Sequence, residues 1–203
     1  FTLLSTLVIL LVAAPLGVPV SRRFGKKEAS VAGMLFSGVV FAVMYVLKLQ
    51  NMWLFLWLGA IGYLGLGFFN TVIWANITDV IDDQEVQTGH RDDGTVYAVY
   101  SFARKVGQAL AGGIGGWALQ VIGYEPAAAA QTDAVRRGLY TTATLVPAIG
   151  FFVVAAILWF VYPLDKRRVE KNVEELKKKH LPAEHWLVRR ADVFSLPGIT
   201  RFR

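Results

Sequence analysis

The stretch from Val96 to Ile122 reads VYAVYSFARKVGQALAGGIGGWALQVI, an almost wholly apolar run with Arg104 and Lys105 at its middle. A helix needs roughly 20 mostly apolar residues to cross a bilayer. A cation at the bilayer centre costs on the order of 3 kcal/mol by insertion scales, so such a residue usually faces a polar pathway rather than lipid. The stretch predicts a transmembrane helix on which Lys105 faces a polar pathway.

Four polar side chains and one glycine recur along this helix at steps of four, four, three and four residues: Tyr97, Ser101, Lys105, Gln108 and Gly112. These steps place them on one helical face. If the helix begins near Gly94, a rise of about 1.5 Å per residue places Lys105 roughly 16 Å from its start, near the bilayer midplane. Secondary transporters hold substrates at this depth. The alternative is that Lys105 pairs with a carboxylate of a helix outside this chain, in a structural or gating role.

The rest of the chain has the same character, with 55% hydrophobic and only 18% charged residues, against about 25% charged in soluble domains. A soluble helical bundle is disfavoured, because five long apolar runs would leave almost no polar face. The sequence therefore predicts an all-α, polytopic transmembrane bundle over residues 1–163 and a basic tail over residues 164–203. The five predicted helices cover residues 2–20, 29–49, 52–77, 94–122 and 139–162.

Other features narrow the function. Because Phe1 lies inside an apolar run, we interpret the chain as a fragment that lacks its N-terminal part. Asn70, a polar residue inside the third segment, either lines a cavity or bonds to a neighbouring helix.

No nucleophile or acid–base set is evident, the chain has no cysteine, and its three histidines lack metal-ligand spacing, which argues against an enzyme and a metal site. The basic tail has too few interleaved aromatic residues to predict nucleic-acid binding.

The distribution of Lys and Arg predicts the orientation. Basic residues concentrate in Ser21–Glu28 and in the tail, and by the positive-inside rule both are cytoplasmic. We therefore expect a multi-pass protein of the plasma (inner) membrane with Phe1 outside and the tail inside. On the same cytoplasmic face, residues 78–93 are acidic, and Ser21–Glu28 is their expected partner. In the tail, Asp165–His180 is predicted to be a charged helix that is either solvated, which we favour, or laid on anionic lipid.

Several motifs in this chain are typical of one family: Thr78–Glu85 (TDVIDDQE), Thr88–Gly94 (TGHRDDG), Tyr97–Gly107 with its lysine, and Gly123–Tyr124. Together they resemble the glycoside–pentoside–hexuronide:cation symporters, the melibiose-permease-like branch of the major facilitator superfamily. The loop Gly17–Lys27 is similar to a cytoplasmic loop of that superfamily. The chain departs from the family pattern at three positions: Asp83 replaces a common Tyr, Asp93 a common Glu and Ser21 an Asp.

The resemblance implies a fold and a function. The chain would be the C-terminal half of a major facilitator, with five of its six helices, namely helices eight to twelve of twelve. The function implied is symport of a sugar or glycoside, such as a pentoside or hexuronide, by alternating access. The coupling cation, Na⁺ or H⁺, would be bound mainly by the N-terminal half, and no other cofactor is expected. The expected partners are thus the substrate, the cation, the bilayer and the N-terminal half.

The resemblance also assigns roles to residues. Lys105 matches a family lysine close to the sugar and cation sites, Tyr100 and Ser101 match sugar-side positions, and Asn70 lies near a sugar contact. A cytoplasmic gate is expected to close by pairing acidic and basic residues: Asp79, Asp82, Glu85, Arg91, Arg22 and Arg23. Two alternatives stay open, a non-transporting scaffold or receptor that reuses the fold and a sugar carrier without ion coupling.

Overall fold

The computed structural model describes residues 2–128 and 130–179, and all regular structure in this part of the chain is helical. The predicted all-α fold class is confirmed. A π-helical turn, Ile9–Ala13, separates the first two helices. The helices are α1 (Thr2–Val8), α2 (Ala14–Phe24), α3 (Lys26–Leu47), α4 (Met52–Gly62), α5 (Leu64–Thr88), α6 (Asp93–Ile122), α7 (Asp133–Phe160) and α8 (residues 166–179).

Three spans in the described residues are long and apolar enough to cross a membrane: Lys26–Leu47, Met52–Thr88 and Asp133–Phe160. The two other predicted spans do not meet this criterion of length and apolar composition, for separate reasons. In the first, the helical path continues from Thr2 to Phe24, but the π-helical turn leaves no uninterrupted α-helix of membrane-spanning length. The fourth, α6, is 30 residues long, but its glycines, glutamines and charged pair dilute its apolar side chains. The composition that makes α6 unusual therefore also distinguishes it from an ordinary lipid-facing helix.

Helix boundaries follow local chemistry more than hydropathy. Side chains cap three helix starts, with Asn51 accepting from the backbone N–H groups of α4, Asp92 from that of α6 and Thr132 from that of α7, which satisfies N–H groups that lack a helical partner. Gly89 and Gly123 end α5 and α6 at φ 78° and 76°, a left-handed conformation that glycine adopts without steric cost.

The third predicted segment, residues 52–77, differs from the structure at both its middle and its end. It consists of α4 and α5, which meet at Tyr63, and α5 continues to Thr88. Four of the six acidic residues expected in a loop therefore lie in about the last three turns of α5. The prediction ended the helix where the apolar residues end, but the helix continues, and basic side chains of the following turn and of other helices neutralise its acidic residues, as described below.

The core forms around α3, which packs against α7, α5, α4 and α2. Its central cluster consists of Val31, Met34, Phe41 and Met44 of α3 with Ala148, Phe151 and Ala155 of α7. The ring of Phe41 lies 5.1 Å from that of Tyr63 and 5.7 Å from that of Phe151. Between α3 and α5 the backbones nearly touch, since a Cβ atom on Gly65 would lie 1.9 Å from the Gly33 carbonyl oxygen. Such close approach is typical of small residues at membrane helix interfaces.

Helix α6 stands at the edge of this core. None of its residues is buried, and within the described residues it meets α5 and α7 near its ends. Trp74 of α5 contacts its first turns, while Ile122 in its last turn packs at Gly138 of α7. The long middle of α6, which carries Lys105, is exposed on all sides.

Candidate functional site

At one end of the bundle, α2, α3 and α5 meet around a half-buried ion pair. The Lys26 ammonium donates to both carboxylate oxygens of Asp79, at 2.7 and 2.8 Å, and to the Ala75 carbonyl oxygen at 3.3 Å. The Asp79 side chain is only 6% exposed. Beside it, the Tyr162 hydroxyl donates to the Asn76 carbonyl oxygen. Burial, with the charges of two nearby aspartates, raises the pKa of Tyr162, so this phenol stays a neutral hydrogen-bond donor.

Arg91 joins α5 to the start of α6. Its guanidinium Nη1 donates to Asp82 at 2.8 Å and to Glu85 at 3.2 Å, and its Nε donates to Asp93 at 3.1 Å. Hydrogen bonds to these three carboxylates raise the pKa of Arg91. One cation thus neutralises acidic groups on both sides of the turn between the two helices.

Helix α8 folds back onto the same end. Arg168 donates to both oxygens of Asp83 at 2.8 and 2.9 Å, a two-point geometry that guanidinium and carboxylate groups favour. These two bonds, with the charge of Asp83, raise the pKa of Arg168. The buried Asn172 amide donates to the same carboxylate at 2.7 Å. Lys179 reaches the Gly89 carbonyl oxygen at 3.1 Å. These contacts hold α8 against α5, which corrects the expectation of a solvated helix. Residues 180–203 lie outside the described part of the chain.

These contacts form what we call the charged end: the network of Lys26, Arg91 and Arg168 with the acidic residues of α5. Of the predicted gate residues, Asp79, Asp82, Glu85 and Arg91 come together there. Arg23 does not pair through its side chain in the described part, because its guanidinium lies over the Phe24 ring while its carbonyl oxygen accepts from Lys166. The side chain of Arg22 lies outside the described residues.

Sequence reasoning did not include four residues of these contacts in the gate: Lys26, Asp83, Arg168 and Asn172. Asp83 was noted only as a departure from the family pattern. Lys26 belongs to the basic segment expected to face the acidic one, but no signal singled it out from its neighbours. Arg168 lies in the charged tail. The excess of basic residues in that tail, on the same predicted side of the membrane as the acidic residues 78–93, was the signal that could have indicated a pairing. Asn172 shows no signal in the sequence, since only the fold brings it to Asp83.

The second candidate region is the open face of α6, which we define as the exposed surface of Ser101, Lys105 and Gln108. These three side chains project from one side of the helix, as their spacing predicts, and each is exposed. Within residues 2–128 and 130–179, Lys105 makes no ion pair. An ammonium with three donors is thus presented without a counter-charge from this part of the chain.

Aromatic rings border the open face on the side of α5. Trp74 is 51% exposed, and its ring lies 5.6 Å from that of Tyr100 and 6.3 Å from that of Tyr97. Asn70, one turn before Trp74 on the same face of α5, is also exposed. Trp74 was missed as a site candidate, although its spacing of four from Asn70 was a usable signal. Aromatic walls with a few convergent polar groups are typical of small-molecule sites.

The comparisons with known proteins agree with this arrangement. A family model described as MFS/sugar transport protein matches residues 1–166. The chain belongs to this family. The membership agrees with the resemblance to the glycoside–pentoside–hexuronide:cation symporters that the motifs around Lys105 indicate. Membrane transport, and not a reaction on a covalent bond, is what this family and its named members have in common.

Several curated relatives are sugar-related transporters by name. The chain is 32% identical to the glucuronide carrier protein homolog of Escherichia coli, over 87% of the chain and 38% of the relative. It is 34% identical to the putative sulfoquinovose importer of the same organism, over 77% of the chain and 33% of the relative. An uncharacterized symporter of Bacillus subtilis is 32% identical over 78% of the chain and 34% of the relative. The chain thus spans about a third of the length of the curated relatives it matches.

Proposed function

We propose that the chain is the C-terminal half of a secondary active transporter, which carries a sugar-like substrate together with Na⁺ or H⁺ by alternating access. The observation that carries this proposal is the open face of α6, where Lys105 lies exposed in the middle of a membrane-length helix. A cation at that depth is expensive against lipid. An aqueous cavity completed by the N-terminal half of the protein would remove this cost.

The absence of buried residues on α6 supports a cavity partner. A helix at the edge of a finished bundle would bury at least one stripe, whereas the described residues leave all of α6 uncovered or half-covered. In transporters built from two related halves, the substrate site lies between the halves near the bilayer midplane. Lys105 and Ser101 would then donate hydrogen bonds to substrate oxygens, with Tyr100 and Asn70 at the edge.

The substrate class follows from the ammonium group and the relatives' names. Glucuronides carry a carboxylate and sulfoquinovose carries a sulfonate, and these substrates name two of the relatives. A lysine that lacks a counter-charge suits such a substrate, because pairing with an oxyanion gives a charge-assisted hydrogen bond. We therefore propose an acidic sugar or glycoside, such as a hexuronide, as the substrate.

The charged end is proposed to be the cytoplasmic gate. Its ion pairs join α3, α5, the start of α6 and α8, so opening that end would require some of them to separate. Ion pairs at a water-accessible surface contribute little individually. They can therefore exchange partners during a transport cycle while still favouring the closed arrangement.

Uptake by the full-length protein that contains this chain tests the proposal. Vesicles holding folded protein would be given labelled glucuronide, neutral β-glycoside and pentose, with and without a Na⁺ or H⁺ gradient. We expect gradient-driven accumulation, greatest for the glucuronide. Accumulation of the neutral sugars alone would contradict the acidic substrate class. An absence of uptake for every compound would contradict transport of sugar-like substrates and favour a scaffold.

A further inference from the structure

A polar cavity lies at the end of the bundle opposite the charged end. This half-open pocket has a volume of about 700 Å³ between the end of α3, the turn that follows it and the first turns of α7. We call it the basic pocket. Its lining consists of Tyr45, Lys48, Leu49, Gln50, Asp133, Arg136, Arg137, Tyr140 and Thr141. No residue of α6 contributes, so this pocket is separate from the open face.

One wall of the basic pocket is held in place by hydrogen bonds. The Tyr140 hydroxyl of α7 donates to the Met44 carbonyl oxygen at 2.5 Å and accepts from the Leu49 N–H at 2.9 Å. Both bonds fasten the end of α3 to α7. The residue between, Lys48, has φ 46° as the C-cap of α3. This left-handed conformation is uncommon for a residue with a side chain, and here Tyr140 bonds on either side of it.

The fold gathers basic residues that the sequence keeps apart. The two connections at this end, 48–51 and 123–132, together with the first turn of α7, contain only three basic residues: Lys48, Arg136 and Arg137. All three line the same pocket. Arg136 pairs with Asp133, while Lys48 and Arg137 form no ion pair within residues 2–128 and 130–179. The pocket therefore has an excess of positive charge and uncommitted donors.

We propose that the basic pocket binds the oxyanion group of a small molecule or lipid: a carboxylate, sulfonate or phosphate ester. The Arg137 guanidinium offers a planar set of donors that matches two oxyanion atoms, and the Lys48 ammonium adds a point charge. Gln50, Tyr45 and Thr141 add neutral polar groups for the remainder of the ligand. The volume is within the range of small-molecule sites, which is about 300–1,000 Å³. The inference is independent of the proposed function, because it uses neither Lys105 nor the charged end.

Two sources of this group are distinguished by direct binding measurements on the full-length protein. In the first arm, labelled glucuronate is titrated by equilibrium dialysis. In the second, retention of phosphatidylglycerol is measured by native mass spectrometry. Each arm compares the parent with a variant carrying Lys48→Ala and Arg137→Ala. A matched control removes two exposed lysines of α8, Lys177→Ala and Lys178→Ala.

We expect the Lys48/Arg137 variant to bind glucuronate or to retain lipid at least about tenfold more weakly than the parent, as loss of charge-assisted hydrogen bonds implies, while the control matches the parent. Weaker glucuronate binding identifies a soluble acid as the ligand, and weaker lipid retention identifies a headgroup. Equal behaviour of the two variants in both arms would overturn the proposal.

Two further variants remove the remaining ambiguities. Arg137→Lys keeps the charge and the fold, and it should restore part of the affinity, which a folding defect would not allow. The glucuronate titrations are also made in a Lys105→Ala background, which removes the proposed open-face site from the comparison, so a failure of the transport proposal and a failure of this one give different results. If the Lys48/Arg137 variant binds glucuronate as tightly as its parent in this background, and retains lipid equally, the proposal is overturned.

Discussion

The charged end and the open face carry similar kinds of side chain in opposite states. At the charged end, Lys26, Arg91 and Arg168 each reach a carboxylate within 3.2 Å. On the open face, Lys105 reaches none among the described residues. The cations of the first region find their carboxylates within the described residues, whereas Lys105 of the second finds none there.

This difference separates charges that the fold itself compensates from a charge whose cost calls for a functional explanation. Burying paired charges is compensated by their partners, so the charged end can be explained as folding and gating. An isolated ammonium in a membrane-length helix has no such compensation within the described part of the chain. The residue that folding explains least is therefore the one to which we give the central role in transport.

The largest expected effect comes from removing the unpaired charge. Lys105→Ala in the full-length protein should lower gradient-driven uptake by about 10- to 100-fold, since a charge-assisted hydrogen bond contributes about 1.5–3 kcal/mol. Initial rates in vesicles with matched protein content give the measurement. Arg104→Ala, on the same turn but about 100° around the helix, should lose much less. Equal losses would show that position around the helix does not matter.

A bulky side chain on the open face tests whether another part of the protein covers it. In this chain, a Cβ atom on Gly112 or on Gly150 of α7 would meet nothing within 4 Å. If the open face borders a narrow cavity, Gly112→Leu should lower uptake by about tenfold or more, as expected for overpacking of about 1–3 kcal/mol. Gly150→Leu is the matched control and should lower it far less. Normal uptake by Gly112→Leu would contradict a covered face.

Breaking the half-buried pair should affect stability more than transport specificity. Lys26→Met leaves the Asp79 carboxylate buried without its cation and should destabilise the protein by about 2 kcal/mol. This is less than the roughly 3–5 kcal/mol that breaking a fully buried pair costs, because Lys26 is 32% exposed. Thermal melts in detergent report the change. The double variant Lys26→Met with Asp79→Asn should regain most of the loss. A double variant no better than the single one would show that pairing is not what stabilises this end.

The smallest expected effect is at the α8 contact. Arg168→Ala removes two hydrogen bonds to Asp83, but the arginine side chain is 41% exposed, so solvent screening keeps the loss of stability small. The same melts give the value, with exposed Lys178→Ala as the control. A loss larger than that of Lys26→Met would reverse the ranking of the two contacts.

Much of the open face could be predicted from the sequence because it depends on local periodicity. The steps between Tyr97, Ser101, Lys105 and Gln108 fix their common side on any helix, and the structure keeps them there. The helical nature of the apolar segments was predictable for the same reason. The role of these residues in transport stays a prediction.

The charged end was harder to predict because its contacts join distant positions. Lys26 and Asp79 are 53 residues apart, and Arg168 and Asp83 are 85 apart. No local pattern selects these pairs from the many charges nearby. The end of α5 was misplaced for a related reason, since two of the cations that neutralise its acidic turns, Lys26 and Arg168, come from other helices.

The most direct test of the central claim is protection of the open face by substrate. This chain has no cysteine, so Ser101→Cys and Gln108→Cys can be labelled selectively in a full-length background without other cysteines. We predict that a water-soluble maleimide labels both, that the transported sugar acid slows labelling several-fold, and that Val99→Cys, on the far side of α6, is unaffected by substrate. Labelling of Ser101→Cys and Gln108→Cys at the same rate with and without transported substrate would contradict an α6 face that lines the substrate pathway.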